Sequence, residues 1–213
     1  MEQVIELKNV FKIIKEQKLI DNVSLSVGKG QTVGFVGRNG SGKTVLLKLI
    51  CGIYTATSGE IIVNGKTIGK EIDFPENIGI IIETPGFLPG ISGYKNLKLL
   101  ARINNKANNE TIKKSLEFVG LNPDDKKKIG KYSLGMKQRL GLAQAIMEKP
   151  EILILDEPFN GMDQAGVAEM RSHLKSLKEL GITMLIATHS TDDLEQLCDS
   201  VYEMSAGKLR HIR

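Results

Sequence analysis

The sequence predicts an α/β protein with a mostly parallel sheet, an N-terminal antiparallel β subdomain and a helical subdomain in its middle. Three observations carry this expectation. Apolar runs of strand length, TVGFV at 32–36, NIGIII at 77–82, ILILD at 152–156 and ITMLIAT at 182–188, are separated by helical patterns, the arrangement that pairs strands in parallel. An Asn-Gly pair inside GEIIVNGKTI, 59–68, marks an antiparallel hairpin. From Tyr94 to about Pro150 helical periodicity dominates.

Taken in order, VIEL (4–7) and SLSV (24–27) read as short strands and TVGFV as a buried one. TVLLKLI (44–50) has apolar residues dense enough for a buried helix, and the 59–68 hairpin follows. After NIGIII comes ETPGFLPGISG, where glycine and proline break the chain. NLKLLARI and TIKKSLEFVGL are helical, as is the stretch up to Pro150. Beyond ILILD lie a helix at 166–181, the ITMLIAT strand, a helix at 191–198, and a last strand pair, SVYEM with KLRHI, around Ser205-Ala206-Gly207. One domain over 1–213 is expected, with residues of about 84–150 as the helical subdomain, no repeats, no linker and nothing appended after the last hairpin.

Composition narrows the function classes. Lys+Arg 29 against Asp+Glu 25 leaves +4, too mild to argue for nucleic acid, and Lys126–Lys127–Lys128 beside Asp124 and Asp125 reads as a solvated loop. No run approaches the roughly 18–20 apolar residues of a membrane span. MEQVIELKNV holds two acids and no apolar core, so it is not a secretory signal. Cys51 and Cys198 each follow an apolar helical pattern and are expected to be buried free thiols. A cytosolic protein is expected.

GRNGSGKT, residues 37–44, sits between a strand and a helix, the context a phosphate-binding loop requires. Small residues let successive amides turn inward as an anion nest, and the helix N-terminus adds partial positive charge. The loop therefore binds a nucleoside triphosphate through Gly37, Asn39, Gly40, Ser41, Gly42, Lys43, Thr44 and Val45. Lys43 is placed at the β- and γ-phosphates and the Thr44 hydroxyl on Mg²⁺. This makes the core a P-loop NTPase.

Ile152 to Leu155 bury a strand that delivers Asp156 and Glu157 at its carboxyl end, where ligands of open α/β sheets bind. Asp156 suits Mg²⁺; Glu157, directed to the other side of the strand, suits an attacking water. A second carboxylate after the metal-binding one favours hydrolysis over transfer. No N-K-x-D base-reading motif occurs, so ATP is the expected nucleotide.

YSLGMKQR, 132–139, resembles the signature segment of ABC-type ATPases, about twenty residues before Asp156. FNGMD, 159–163, is similar to their D-loop, and His189 at the end of ITMLIAT to their switch histidine. The resemblance covers nearly the whole chain. Ser133 is also a natural helix N-cap, and its hydroxyl with the Gly135 amide makes a second anion site. The resemblance implies head-to-tail dimers in which Ser133 and Gly135 of one protomer close on the γ-phosphate held by its partner, with Glu157, His189 and Lys43 as the catalytic set.

Three features depart from the family pattern. Leu134 and Met136 stand where glycine and glutamine are usual. Glu83 replaces the glutamine after the IGIII strand: it is placed on Mg²⁺ with Thr44 and Asp156 and as a relay to the partner subunit, with plain capping as the other reading. The adenine-stacking aromatic falls near Ile14, with Phe11 three residues earlier. YSLGMKQR, IIE-x-P-G-F and the short C-terminus resemble ATP-binding subunits of bacitracin- and lantibiotic-type export and self-protection systems.

The resemblance thus implies an ATPase powering a membrane transporter. Its partners would be an integral permease on a separate chain and a second nucleotide-binding subunit, identical or paralogous, with no nucleic acid. It would lie peripherally on the cytoplasmic face of the membrane, docking through Gly86 to Gly93 and the 94–120 helices. The alternative is a soluble assembly factor of the same fold, for example in iron–sulfur cluster assembly. Phe87 and Leu88 are either an exposed knob for a partner or part of the local core.

Overall fold

The structure is a computed structural model and describes residues 2–83, 86–104 and 106–213. Met1, Thr84, Pro85 and Asn105 lie outside the described residues, and with them part of the 81–87 segment and the first position of the expected helical subdomain. The chain forms β1 (Gln3–Ile14), β2 (Gln17–Gly28), β3 (Thr32–Val36), α1 (Lys43–Ile50), β4 (Ser58–Val63), β5 (Lys66–Thr67) and β6 (Ile78–Ile81). It continues through α2 (Gly93–Asn104), α3 (Asn109–Phe118), α4 (Leu134–Ile146), β7 (Ile152–Asp156), α5 (Gln164–Glu179), β8 (Thr183–Thr188), α6 (Thr191–Leu197), β9 (Ser200–Ser205) and β10 (Lys208–His211).

Two sheets result. One is antiparallel with strand order β2-β1-β4-β5; the other has order β10-β9-β3-β8-β7-β6, parallel except for β10 on β9. The central strands are buried on both faces and so read as unbroken apolar runs. Their alternation sorts two cores. Leu153 and Leu155 of β7 and Met184 and Ile186 of β8 join a cluster with α2 to α6. Ile152, Ile154, Leu185 and Ala187 face the other way, onto α1 and the antiparallel sheet. Each fully buried aliphatic of this kind contributes about 1.5–3 kcal/mol.

The predicted strands and helices occur, with one difference in extent. VIEL and SLSV are parts of two 12-residue strands joined by a tight turn. Lys15 and Glu16 at that turn both have positive φ, 46° and 66°, without the Gly or Asn that usually marks such a hairpin. The Asn64-Gly65 turn has the expected left-handed pair, φ 49° and 75°. Cys51 and Cys198 are buried free thiols, and Lys126 to Lys128 are exposed. Phe87 packs partly buried against the helical core, whereas Leu88 is 57% exposed, so only Leu88 forms a knob.

Candidate functional site

The glycine loop leaves β3, which β8 and β9 flank on either side, and enters α1. Leu46, Leu47, Leu49 and Ile50 bury one side of α1, and that packing fixes where its amino end points. Gly37 lies where no side chain fits, since a Cβ there would collide with the Met204 carbonyl. Gly42 caps α1 at φ +115°, which a Cβ-bearing residue avoids. The Ser41 amide donates to the Arg38 carbonyl at 3.1 Å and the Leu46 amide to the Gly42 carbonyl at 2.9 Å. The amides of Gly42, Lys43, Thr44 and Val45 have no acceptor among the described residues, leaving a cluster of donors at a helix N-terminus.

Lys43 is 6% exposed and folds into the loop, its Nζ donating to the Gly37 carbonyl at 2.6 Å and the Arg38 carbonyl at 3.3 Å. It also stands 3.9 Å from Glu157 Oε1. The cleft has a volume of about 590 Å³ and a wall of Gln17, Lys18 and Leu19 from β2, with Arg38 and Asn39 on the loop. Phe11 and Ile14 lie outside this lining, so the nearest strand residues are one turn further along the hairpin than the sequence suggests. Volume alone does not single out this cleft. Another of about 660 Å³ opens at the amino ends of the strands, near Lys29, Asn77, Glu151 and Thr183. Ligands of such sheets bind at the carboxyl ends, where the anion nest and the two carboxylates are.

The Thr44 hydroxyl donates to Asp156 Oδ2 at 2.7 Å, while Asp156 Oδ1 is buried with no hydrogen-bond partner among the described residues. Burial pushes the Asp156 carboxyl above its ordinary range; the Thr44 hydrogen bond opposes this, the Glu157 charge adds to it, and Lys43 opposes it. A buried carboxylate oxygen without a partner, beside a hydroxyl, is a donor set that suits a hard cation. Mg²⁺ bound there would supply charge neutralisation at the phosphate oxygens.

Glu157 follows the end of β7 with φ 48°, and its amide donates to the Ala187 carbonyl at 2.8 Å. This left-handed step turns the chain out of the strand, and the carboxylate reaches His189, with Oε2 2.9 Å from Nδ1. Asp156 and Glu157 thus meet the first two residues of α1 in reverse order, Thr44 and then Lys43. Glu83 is placed differently from the other residues of the expected metal set. Its carboxylate is 64% exposed and paired with Lys48 Nζ at 2.6 Å.

Ser133 caps α4, its Oγ accepting from the Met136 amide at 3.2 Å. With Gly135 it lines a cleft of about 410 Å³ shared with Met162 and Asp163. No residue lines both this cleft and the glycine-loop cleft. One support escaped sequence reasoning. The turn before β10 staples the loop, with the Gly207 amide on the Ser41 carbonyl at 3.0 Å and the Gly207 carbonyl accepting from the Asp21 amide at 2.9 Å. The turn itself is legible in Ala206-Gly207, but its docking partner is not.

Residues 20–160 match the protein-family model described as ABC transporter. The chain belongs to the ABC transporter family. Within this family it is similar to the uncharacterized ABC transporter ATP-binding protein YybJ of Bacillus subtilis (strain 168), at 43% identity over 97% of this chain and 94% of that one. It is similar also to the bacitracin transport ATP-binding protein BcrA of Enterococcus faecalis, at 42% identity over 98% and 68%. A solved nucleotide-free ATP-binding cassette from an ABC transporter matches with a TM-score of 0.87 and 28% identity, over 99% of this chain and 91% of that one. The protein is thus an ABC-type ATPase, a transporter subunit that binds and hydrolyses ATP. Relatives with transport names place this reading ahead of the assembly-factor one. No helix among the described residues is long and apolar enough to cross a membrane.

Proposed function

We propose that two copies of this chain, or this chain and a paralogue, close head to tail around two Mg-ATP, and that closure drives a permease on a separate chain. The observation that carries this reading is the pair of separate clefts at helix N-termini in one protein, one at Lys43 and one at Ser133, with no lining residue in common. A single triphosphate needs one cradle; the second, at Ser133 and Gly135, serves the partner's γ-phosphate. Gly37 to Val45 hold the phosphates and Lys43 neutralises them. Thr44 and Asp156 would hold Mg²⁺. Glu83 joins that set only after releasing Lys48. Glu157 takes up the water proton, and His189, already on its Oε2, fixes the carboxylate and contacts the γ-phosphate.

The protein works on the cytoplasmic face of the membrane, with residues of about 84–150 as the subdomain that meets the permease through Leu88 and α2. The likeness to BcrA supports a cargo of peptide-antibiotic type. Glu157→Gln tests the assembly. It is expected to lower hydrolysis by about 10²–10³-fold while retaining ATP, giving an ATP-dependent dimer by size-exclusion chromatography with light scattering. A variant that hydrolyses ATP normally, or stays monomeric at saturating ATP, would refute the reading. Co-purification of an integral membrane protein in near-equal amount is the expected result for the permease.

A further inference from the structure

We infer that Leu134 is a positioning residue that ties the signature segment to the loop carrying Glu157 within one chain. This rests on the head-to-tail reading and adds to it a route between the two sites of the dimer. Leu134 opens α4 between Ser133 and Gly135 and is 45% exposed, yet its side chain lies on Gly161. Gly161 has φ +70°, and a Cβ there would collide with Leu134 Cδ2, lying 2.6 Å from Cγ and 3.3 Å from Cβ. Met162 lies along the same seam, its Cγ 3.8 Å from where a Cβ on Gly135 would stand.

The loop from Glu157 to Asp163 is held at both ends. The Asn160 amide donates to the Glu157 carbonyl at 3.1 Å, Phe159 is buried, and Asp163 Oδ1 caps α5 by accepting from the Gly166 amide at 2.8 Å. A displacement of Gly161 is therefore passed along a closed turn to Glu157, whose left-handed backbone sets where its carboxylate points. When Ser133 and Gly135 grip the phosphate in the partner's site, Leu134 moves with them and bears on Gly161, which seats Glu157 in this chain's own site. A glycine at 134 would leave that contact empty.

The test is a double-mutant cycle in the full chain with Leu134→Gly, Gly161→Ala and the pair, and Leu134→Met as the conservative control. Leu134→Gly is expected to leave the Kd of a fluorescent ATP analogue within about twofold, because Leu134 is outside the glycine-loop cleft, while kcat falls by about tenfold or more. The Hill coefficient for ATP should drop toward one, and Leu134→Met should restore both. Gly161→Ala should lower kcat far more beside Leu134 than beside glycine, since the collision is then gone. Additive losses, or wild-type kcat and Hill coefficient in Leu134→Gly, overturn the inference. A Glu157→Gln protein that never dimerises defeats the head-to-tail reading instead, and the cycle in kcat still decides whether Leu134 and Gly161 act together.

Discussion

The Thr44 hydroxyl donates to Asp156 Oδ2 at 2.7 Å, joining the first turn of α1 to the carboxyl end of β7 across 112 positions of sequence. The hydrogen bond orients one carboxylate oxygen and leaves Oδ1 without a partner among the described residues. Thr44→Ala and Asp156→Asn should therefore raise the Mg²⁺ concentration needed for half-maximal hydrolysis by on the order of tenfold or more, with Asp156→Asn the more severe. A Mg²⁺ titration of phosphate release checks this; unchanged midpoints in both would remove Thr44 and Asp156 from the metal set.

Lys43 holds the loop through two carbonyls and is its buried cation. On the proposed reading Lys43→Ala deletes a charge-assisted contact to phosphate, and ATP affinity is expected to weaken about 10–100-fold. Calorimetric titration with ATP measures it. Because the lysine also bridges Gly37 and Arg38, Lys43→Arg should rescue poorly: a planar fork does not replace a point charge in this space.

His173 packs on Phe118, with ring centroids 4.9 Å apart, at the seam between α3 and α5. Burial lowers its pKa from 6.5; the Arg139 charge adds to this and Glu169 opposes it. The native state thus prefers the neutral ring. Stability from this residue is present above the ordinary histidine pKa and is lost as pH falls through the lowered one. Thermal melts from pH 7 to pH 5 should show a decline that His173→Phe reduces; identical pH profiles would rule out this contribution.

Both thiols are buried, and burial pushes each up from 9.0 to about 12. Maleimide should label neither appreciably at pH 7.5 in the native protein and both after unfolding in urea. The same shift has a stability sign. The neutral thiol is favoured in the fold, so this contribution is intact below about pH 9 and is lost as pH rises toward 12. Rapid native labelling would mean that α1 or α6 opens readily.

The order of elements, the glycine loop and the two carboxylates were legible in the sequence because each is a local signal. Backbone geometry and hydrophobic period constrain a strand or a helix within a few residues, and GRNGSGKT carries its chemistry in its own amides. The turn at Lys15-Glu16 was not legible, since neither residue type announces positive φ; the pairing of two long strands enforces it. Nor was the partner of Glu83, because the Lys48 ammonium comes from a helix 35 residues earlier and only packing brings them to 2.6 Å.

What the sequence determined alone was therefore the inventory: which segments are strands and helices, where a glycine loop joins a strand to a helix, which carboxylates end a buried strand. What only the tertiary structure decided was who meets whom. Asp156 takes Thr44 and Glu157 takes Lys43 and His189 because a left-handed step after β7 redirects one of two adjacent side chains. Leu134 lies on Gly161 because α4 and the loop after β7 are packed into one core. Contacts of this kind depend on long-range burial, which sums over the whole chain and leaves no mark at any one position.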